Sequence, residues 1–487
     1  MRNVLMFCTL ICFAVGLVIL SGSGIASNNA AEIFSQQHAQ KMEREGWESM
    51  PTILARILPP NFPKVDFNVR DYGAVADSKT NDRSAFVKAI DVCAKAGGGN
   101  VIIPSGVYFV KGPLHLKSNV HLMLEEGARI LFSQDPEDYL PAVKVRWEGT
   151  ICYNYSPLIY GYQLKNIAIT GKGIIDGAAQ RWSKEWRKQQ DPDKDRLRKM
   201  GNDTIPENQR VFADGYLDLD GDGKDDGFGD GLRHYLRPTL IEFYECENIL
   251  IQDLTIMDSP FWTVHPVFSK NITLRNLTIS GSVTNDDGVD PDGCADVLIE
   301  GCKIQTHDDA IAIKAGRDQD AWSRPGSKDI IVRNNKLLSG ANALCIGSEM
   351  SGGVRYIFAE NNFIANANNA LSFKCNLDRG GQVEKVFIRN TEIDTCRGAM
   401  FMFTMNYQGY RGNNFPTKFN DFYVSGITCR KVERKPFTIV GVPGQHIKRL
   451  YLNEITIDQA GEESQIEYVD DLIFWKVKIG GEPFEHQ

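Results

Sequence analysis

The sequence predicts an all-β protein, a right-handed single-stranded parallel β-helix with an N-terminal capping helix. The main observation is a short unit: a polar residue, an alternating apolar strand, an Asn or Gly turn and another short strand. Its copies begin at residues 166, 248, 271, 296, 329, 356, 385, 421 and 449. Most intervals between starts are 23 to 36 residues, a period typical of solenoids.

The units carry no helical pattern between their strands, which indicates a β-solenoid rather than an α or α/β one. Each unit has an apolar face that only a neighbouring unit can cover, so the units are expected to stack. A β-propeller is the alternative. Its antiparallel blades require hairpin turns, and Asn-Gly or Asp-Gly signals do not recur here at fixed offsets.

The N-terminus is interpreted as an export signal that covers residues 1–26. A short basic start precedes an apolar run over residues 4–20, and small residues follow up to Ala26. An uncleaved membrane anchor is the alternative, because the run is near the lower length limit of a spanning helix. We therefore expect a protein that is exported to the periplasm or the extracellular space.

The remaining chain divides into an N-terminal arm over residues 27–62 and a β-helix domain over residues 63–487. Phe86, Ile90 and Cys93 have helical spacing, and three glycines at 97–99 end the pattern. We interpret this segment as a helix that caps the first coil, because an open solenoid end would expose core and strand edges.

A charge-rich stretch at about residues 179–237 interrupts the repeat. We interpret it as a long surface loop inserted near the functional site, since long loops on a rigid scaffold are often functional. Within it, Asp218, Asp220, Asp222 and Asp226 resemble the first half of a calcium loop, with Gly at the sixth position. Gly229 stands where an EF-hand has Glu, so a solvated acidic turn is the alternative to a structural Ca²⁺ site.

Composition limits the classes of partner. A formal net charge of −8 gives no support for nucleic-acid binding, but it does not exclude an anionic substrate. Removing the signal leaves nine scattered cysteines without a metal-type CxxC pair. We interpret them as small apolar residues inside the coils rather than as a disulfide framework. A monomer is expected.

Two acidic clusters carry the chemistry: NDDGVD at residues 285–290 and THDDAIAIK at residues 306–314. Asp287 and Asp308 are 21 residues apart, which places them on neighbouring coils about 4.8 Å apart. Three clustered carboxylates suit acid/base cleavage of a glycosidic bond, and their mutual repulsion raises one pKa so that this group stays protonated. The alternative is that these residues only cap turns or bind Ca²⁺.

The two clusters, together with IGSE at residues 346–349 and SPFWTVHP at residues 259–266, resemble the polygalacturonases of glycoside hydrolase family 28. The resemblance covers residues 66–480 and implies an inverting hydrolase of galacturonate-containing pectin that needs no cofactor. It implies that Asp308 protonates the leaving oxygen while Asp287 and Asp309 hold and deprotonate water. The acid and base are then expected to stand roughly 6.5–9.5 Å apart. The substrate-binding residues that it implies are Asn285, Lys374 and Tyr407.

The sequence departs from the family at two positions. Ala341 stands where the family has His in a Gly-His-Gly motif, and Ser372 replaces the Arg of its Arg-Ile-Lys motif. The second change removes a bidentate carboxylate-binding group that Lys374 cannot reproduce. We therefore expect an altered leaving-group subsite, with rhamnogalacturonan or a substituted galacturonan as alternative substrates to polygalacturonan.

Two hypotheses from other classes remain open. A pectate lyase-like β-helix would use Ca²⁺ and a basic residue, and its products would carry an unsaturated bond. A non-catalytic carbohydrate-binding β-helix would have no activity. Endo or exo action is also open, and the insertion at 179–237 would favour exo action if it closes one end of the groove.

Overall fold

Parallel strands stacked along one axis dominate the structure, a computed structural model that describes residues 34–485. They form three faces, which confirms the predicted right-handed parallel β-helix. The first face consists of Asp66–Asn68, Gly99–Ile103, Val120–Leu124, Lys165–Gly171, Glu247–Gln252, Lys270–Arg275, Ala295–Glu300, Ser327–Arg333, Val354–Glu360, Gln382–Cys396, Lys418–Val432, Ile447–Ala460 and Val469–Trp475.

The second face is joined to the first, because the three longest strands, Gln382–Cys396, Lys418–Val432 and Ile447–Ala460, extend across both. Its other strands are Asp77–Asn81, Gly106–Val110, Ala128–Phe132, Ile174–Asp176, Thr255–Met257, Thr278–Ser280, Lys303–Thr306, Lys336–Ser339, Phe363–Ala367 and Lys478–Ile479, the last paired with the antiparallel Glu482–Pro483.

The third face carries the acidic clusters and falls into two parts. The first part consists of Leu114–His115, Ile159–Tyr162, Ile241–Tyr244 and Val264–Val267. The second consists of Ile311–Ile313, Asn342–Gly347, Asn369–Lys374, Phe401–Thr404, Phe437–Val440 and Gln465–Glu467. Only isolated bridges at Val289 and Asp292 join the two parts.

The polar residue that begins each repeat has a structural cause. All nine of these starting residues adopt left-handed φ angles between 54° and 63°. Asn and Asp tolerate this conformation best, which explains why they are frequent there. In the early coils the side chains also bond to one another, since Asn248 donates to Asn166 at 2.9 Å and Asn271 donates to Asn248 at 2.6 Å.

Four α-helices and several single turns accompany the strands in the described residues. The α-helices are Gln36–Leu54, Arg83–Lys95, Gln190–Asn202 and Asp318–Ala321. The shorter turns are Val69–Tyr72, Pro136–Tyr139, Trp182–Trp186 and Glu207–Gln209. No helix in this part of the chain is both long and apolar enough to cross a bilayer. The predicted signal peptide lies outside the described residues.

The helix Arg83–Lys95 covers the first coil, as predicted. Phe86, Ile90 and Cys93 are buried against the strand Gly99–Ile103 and its neighbours. All nine cysteines of residues 34–485 are buried and unpaired, which agrees with their interpretation as small core residues. Cys8 and Cys12 lie outside the described residues.

The helix Gln36–Leu54 lies within the segment interpreted as an arm and packs on the outside of the first face. It covers an aromatic stack that runs through successive coils and includes Phe358, Phe387 and Tyr423. Trp47 enters this stack with ring-centroid distances of 5.6 Å to Phe358 and 6.3 Å to Phe387. The guanidinium of Arg389 lies 3.8 Å from its ring centroid.

Two insertions depart from the sequence expectations. The charged stretch at 179–237 is not only a loop, because it contains the helix Gln190–Asn202, whose Leu197 and Gly201 are buried. An antiparallel hairpin, Val143–Trp147 with Thr150–Asn154, was not predicted. Its turn residues Glu148 and Gly149 both have positive φ, as in a type I′ turn, although Glu-Gly is a weaker hairpin signal than Asn-Gly.

We predict that Trp47→Ala releases the N-terminal helix. Trp47 is 8% exposed, and truncating so large a buried ring costs about 3 kcal/mol. The expected results are a lower thermal unfolding temperature and trypsin cleavage at Arg44. Trp475→Ala serves as the control, because Trp475 is 39% exposed. An unchanged unfolding temperature and unchanged cleavage in Trp47→Ala would contradict this packing.

Candidate active site

The structure brings the three predicted catalytic carboxylates together on the third face. Val289 bridges to Ile311, which places Asp287 on the coil next to that of Asp308 and Asp309. One carboxylate oxygen from each of the three lies within 4.8 Å of the other two. The predicted neighbouring-coil arrangement is therefore present.

The turn that carries Asp308 and Asp309 is held by a buried neighbour. The backbone N–H groups of His307 and Asp308 donate to Asp286 Oδ1 at 2.9 Å and 2.8 Å. Burial raises the pKa of Asp286 to about 6 despite these bonds. Ser339, on the next coil, donates to the Asp308 carbonyl at 2.6 Å. These contacts fix the backbone of the two catalytic candidates.

Asp309 is surrounded by donors. Lys374 Nζ donates to Oδ2 at 2.7 Å, and the Asn342 side chain donates to Oδ1 at 2.5 Å. Burial alone would raise the pKa of Asp309, but the charges of Lys374 and Lys314 and the hydrogen bonds outweigh burial and lower it. Asp309 is therefore held ionised, as a general base must be.

Asp308 has the opposite tendency. Burial and the charge of Asp309 raise its pKa, and the charges of Lys374 and Lys314 and the hydrogen bond from the Asp309 N–H offset this only in part. Its side chain is the least buried of the three and lines the open cleft. A carboxyl with a raised pKa at the edge of a cleft suits a general acid.

Asp287 shares its environment with a fourth carboxylate, Asp290. Burial, then Asp290 and Asp308, raise the pKa of Asp287 well above its ordinary value, and burial raises that of Asp290 to about 7. Lys314 Nζ lies 3.6 Å from Asp287 and 3.7 Å from Asp290, and it lies 4.4 Å from the Trp262 ring centroid. One ammonium cannot keep both carboxylates ionised, so Asp309 is the better candidate for the base.

The predicted substrate-binding residues also line this cleft. The ammonium of Lys374 lies 5.0 Å from the ring centroid of the half-buried Tyr407. The side-chain oxygen of Asn285 accepts a hydrogen bond from the buried Arg237 at 2.8 Å. The structure therefore places Asn285, Lys374 and Tyr407 beside the three carboxylates.

At the two positions that depart from the family pattern, neither side chain replaces the missing His or Arg. Ala341 is half-buried and offers only a methyl group. Ser372 is fully buried, and its hydroxyl has no hydrogen-bond partner among the described residues. Instead, Asn342, next to Ala341, provides the donor to Asp309.

A second charged group borders the cleft, and the sequence analysis assigned it no role. Arg317 donates to Glu349 Oε1 at 2.5 Å, and Arg198 donates to Glu148 Oε2 at 2.6 Å. Glu349 lies in the quoted IGSE phrase, and Arg317 follows the strand Ile311–Ile313, so both had a sequence signal. Glu148 and Arg198 come from the hairpin and the insertion helix, where no repeat pattern locates them.

The predicted calcium ligands are brought together in part. Carboxylate oxygens of Asp218, Asp220 and Asp222 lie within 4.8 Å of one another, and Gly223 has the positive φ required at the sixth position. The Asp226 carboxylate instead accepts the Leu219 N–H at 2.5 Å. The three aspartates fit a hard cation, and Ca²⁺ binding stays a prediction.

The fold and the carboxylate cluster agree with comparisons to known proteins. Residues 204–476 match the family model for glycosyl hydrolases family 28, and residues 67–125 match a model described as rhamnogalacturonase A/epimerase, pectate lyase-like. The first match spans more than half of the chain, which therefore belongs to glycoside hydrolase family 28. The protein is an enzyme that hydrolyses glycosidic bonds.

Two relatives and one solved structure illustrate the similarity. The chain is 29% identical over 81% of its length, and 75% of the relative's, to a probable polygalacturonase of Vitis vinifera. It is 30% identical over 76% of its length to an exo-poly-alpha-D-galacturonosidase of Dickeya chrysanthemi, of which it spans 62%. Its structure resembles that of a hyperthermoactive exopolygalacturonase from Thermotoga maritima, with a TM-score of 0.78, 35% identity and coverage of 87% and 93% of the two chains.

We predict that Lys374→Met shifts the acidic limb of the pH profile. Without the ammonium, the pKa of Asp309 rises, and the base is lost at a higher pH on acidification. The acidic limb of kcat/KM should move up by about 1–3 pH units, the range that one close charge causes. Lys385→Met is the control, because Lys385 contacts Tyr356 outside the cleft. An unmoved limb would contradict the role of Lys374 in ionising Asp309.

We predict that Ca²⁺ stabilises the protein through the acidic loop. Calcium on the order of 1 mM should raise the thermal unfolding temperature relative to a chelator, since a ligand of the folded state stabilises it. The double variant Asp218→Asn/Asp220→Asn should lose this response. An equal response in the parent and the double variant would show that calcium binds elsewhere.

Proposed function

We propose that this protein is an exported, exo-acting hydrolase of α-linked galacturonate in pectin that inverts the anomeric configuration. The observation that carries the proposal is the opposite pKa tendency of Asp308 and Asp309 within one cluster of carboxylates. The names of the relatives support the substrate class. Export is supported by the apolar run at residues 4–20.

The proposed reaction transfers two protons, one to the leaving oxygen and one from the attacking water. Asp308 gives its proton to the glycosidic oxygen, and the bond between that oxygen and the anomeric carbon breaks. Asp309 takes a proton from the attacking water, whose oxygen forms the new bond. The water has a second polar contact in Asp287. Each turnover leaves Asp308 ionised and Asp309 protonated, and exchange with solvent restores both.

Exo action is supported by contacts that the insertion helix makes at the cleft. Arg198, on the insertion helix, meets Glu148, at the tip of the hairpin. The loop after Tyr407 approaches the same helix so closely that a methyl group added to Gly409 would lie 3.4 Å from Arg198 Nη1. In the proposed function these contacts stop a continuing polymer, so that the cleft binds a chain end.

A rhamnogalacturonan hydrolase or rhamnogalacturonidase is the second candidate. Ala341 and Ser372 favour it, because the leaving-group side then lacks the His and Arg that suit a galacturonate there. The description of the model that matches residues 67–125 points the same way. A non-catalytic binding protein is not favoured, because the chain retains all three carboxylates and their counter-ions.

Product analysis on polygalacturonan and rhamnogalacturonan tests the proposal. We predict saturated monogalacturonate as the first product from polygalacturonan, with little loss of viscosity at early times. Asp308→Asn should lower kcat by about 10²–10⁴-fold, the contribution of general acid catalysis. Cleavage of rhamnogalacturonan alone would favour the second candidate. Rapid viscosity loss would contradict exo action, and unsaturated products would contradict hydrolysis.

The anomeric form of the first product tests inversion separately. The α-linked substrate should release the β-anomer first, which ¹H NMR detects before mutarotation. The test separates the two stereochemical courses, because carboxyl groups roughly 5–5.5 Å apart favour retention and groups roughly 6.5–9.5 Å apart favour inversion. The α-anomer as first product would contradict the proposed water activation by Asp309.

A further inference from the structure

The cleft has to accept an anionic sugar although it already holds many charges. Five carboxylates and four cations line it, and most of the cations already pair with carboxylates of the protein. The carboxylates are Glu148, Asp287, Asp308, Asp309 and Glu349, and the cations are Arg198, Lys314, Arg317 and Lys374. A sugar carboxylate placed among these five acids requires a cation that has donors to spare.

The two lysines have few donors to spare. Lys374 is 4% exposed and donates to Asp309 at 2.7 Å. Lys314 is 3% exposed and lies within 3.4–3.7 Å of Asp287, Asp290 and Glu349. Drawing either ammonium toward a substrate would weaken its hold on the catalytic carboxylates.

The two arginines differ from each other. Arg317 is 3% exposed, donates to Glu349 at 2.5 Å, and uses Nε for the Glu148 carbonyl at 3.2 Å. The Arg198 side chain is 19% exposed, the most exposed of the four cations. Its single short ion pair is with Glu148, at 2.6 Å. Its Nε is buried without a hydrogen-bond partner among the described residues, and its Nη1, which lies 3.9 Å from Asp195, makes no short ion pair.

The position of Arg198 matters as much as its free donors. It lines the cleft, where it lies near both the hairpin tip at Glu148 and the loop at Gly409. A guanidinium binds a carboxylate with two parallel N–H donors, which neither lysine can do. The β-helix strand that carries Lys374 has Ser372 at the place where the family has its arginine, so the strand offers no such group.

We propose that Arg198 is a specificity-determining residue that binds the carboxylate of the terminal galacturonate in the cleft. The inference rests on the proposed function and names how its substrate is recognised. Glu148 holds the guanidinium in place and is shared with Arg317, whose Nη2 lies 3.7 Å away. The insertion therefore contributes the guanidinium that the strand lacks, at a different subsite.

Isothermal titration calorimetry in the Asp308→Asn background tests the binding role of Arg198 without turnover of the ligand. The two ligands are digalacturonate and its dimethyl ester, in which a neutral methyl ester replaces each carboxylate. Arg198→Gln should weaken binding of the acid on the order of 10²-fold, as loss of a charge-assisted bond pair does, and binding of the ester by less than about 3-fold. Arg198→Lys should fall between the parent and Arg198→Gln for the acid.

Two further variants control for structural effects. Arg196→Gln removes a cation from the same helix that pairs with Asp230, and it should leave both affinities within about 2-fold, as expected for a surface ion pair. Glu148→Gln/Arg198→Gln removes both charges of the pair, so that Glu148 is not left buried with only the more distant Arg317. The double variant should still discriminate poorly between acid and ester.

Three results would overturn the inference. Equal losses for acid and ester in Arg198→Gln and the double variant would mean that Arg198 only braces the cleft. Unchanged affinity of Arg198→Gln for the acid would mean that Arg198 does not contact the carboxylate. Binding of neither ligand by the parent would mean that the proposed subsite does not exist. Failure of the proposed function would give a different result: the chain that retains Asp308 would show no turnover.

Discussion

In-register stacking of the coils is the constraint on which the site depends. Asp287 and Asp309 are far apart in sequence, and the Val289–Ile311 bridge places them on adjacent coils. The same stacking places Lys374, two strands beyond Ile311–Ile313, against Asp309 at 2.7 Å. A one-residue slip would turn these side chains into the apolar core, so the register fixes both the core and the catalytic cluster.

The cluster functions because its charges are unevenly compensated. Burying several carboxylates together is costly unless some stay protonated or gain a cation. Lys374 and Asn342 satisfy Asp309, whereas Asp308 faces the cleft with weaker compensation and Asp287 shares Lys314 with a neighbour. In the proposed mechanism an acid and a base therefore arise from chemically identical side chains, and the difference lies in which of them each lysine reaches.

Much of the fold and of the carboxylate cluster could be predicted from the sequence. The features that could not be predicted were missed for physical reasons. The repeat period and the polar starting residues indicated the β-helix, because stacked strands and left-handed turns impose both. The spacing of Asp287 and Asp308 indicated their proximity for the same reason. Glu148 and Arg198 could not be located, since they belong to insertions outside the repeat. The insertion helix was missed because its exposed face is highly charged and few of its residues are apolar.

An activated substrate tests the division of roles between Asp308 and Asp309 most directly. An α-galacturonide whose leaving group is a dinitrophenolate departs without protonation, so it needs the base and not the acid. The account predicts that Asp308→Asn hydrolyses this substrate within about 10-fold of the parent, whereas Asp309→Asn stays impaired by about 10²-fold or more. Equal impairment of the two variants on the activated substrate would contradict the assignment of Asp308 as the acid.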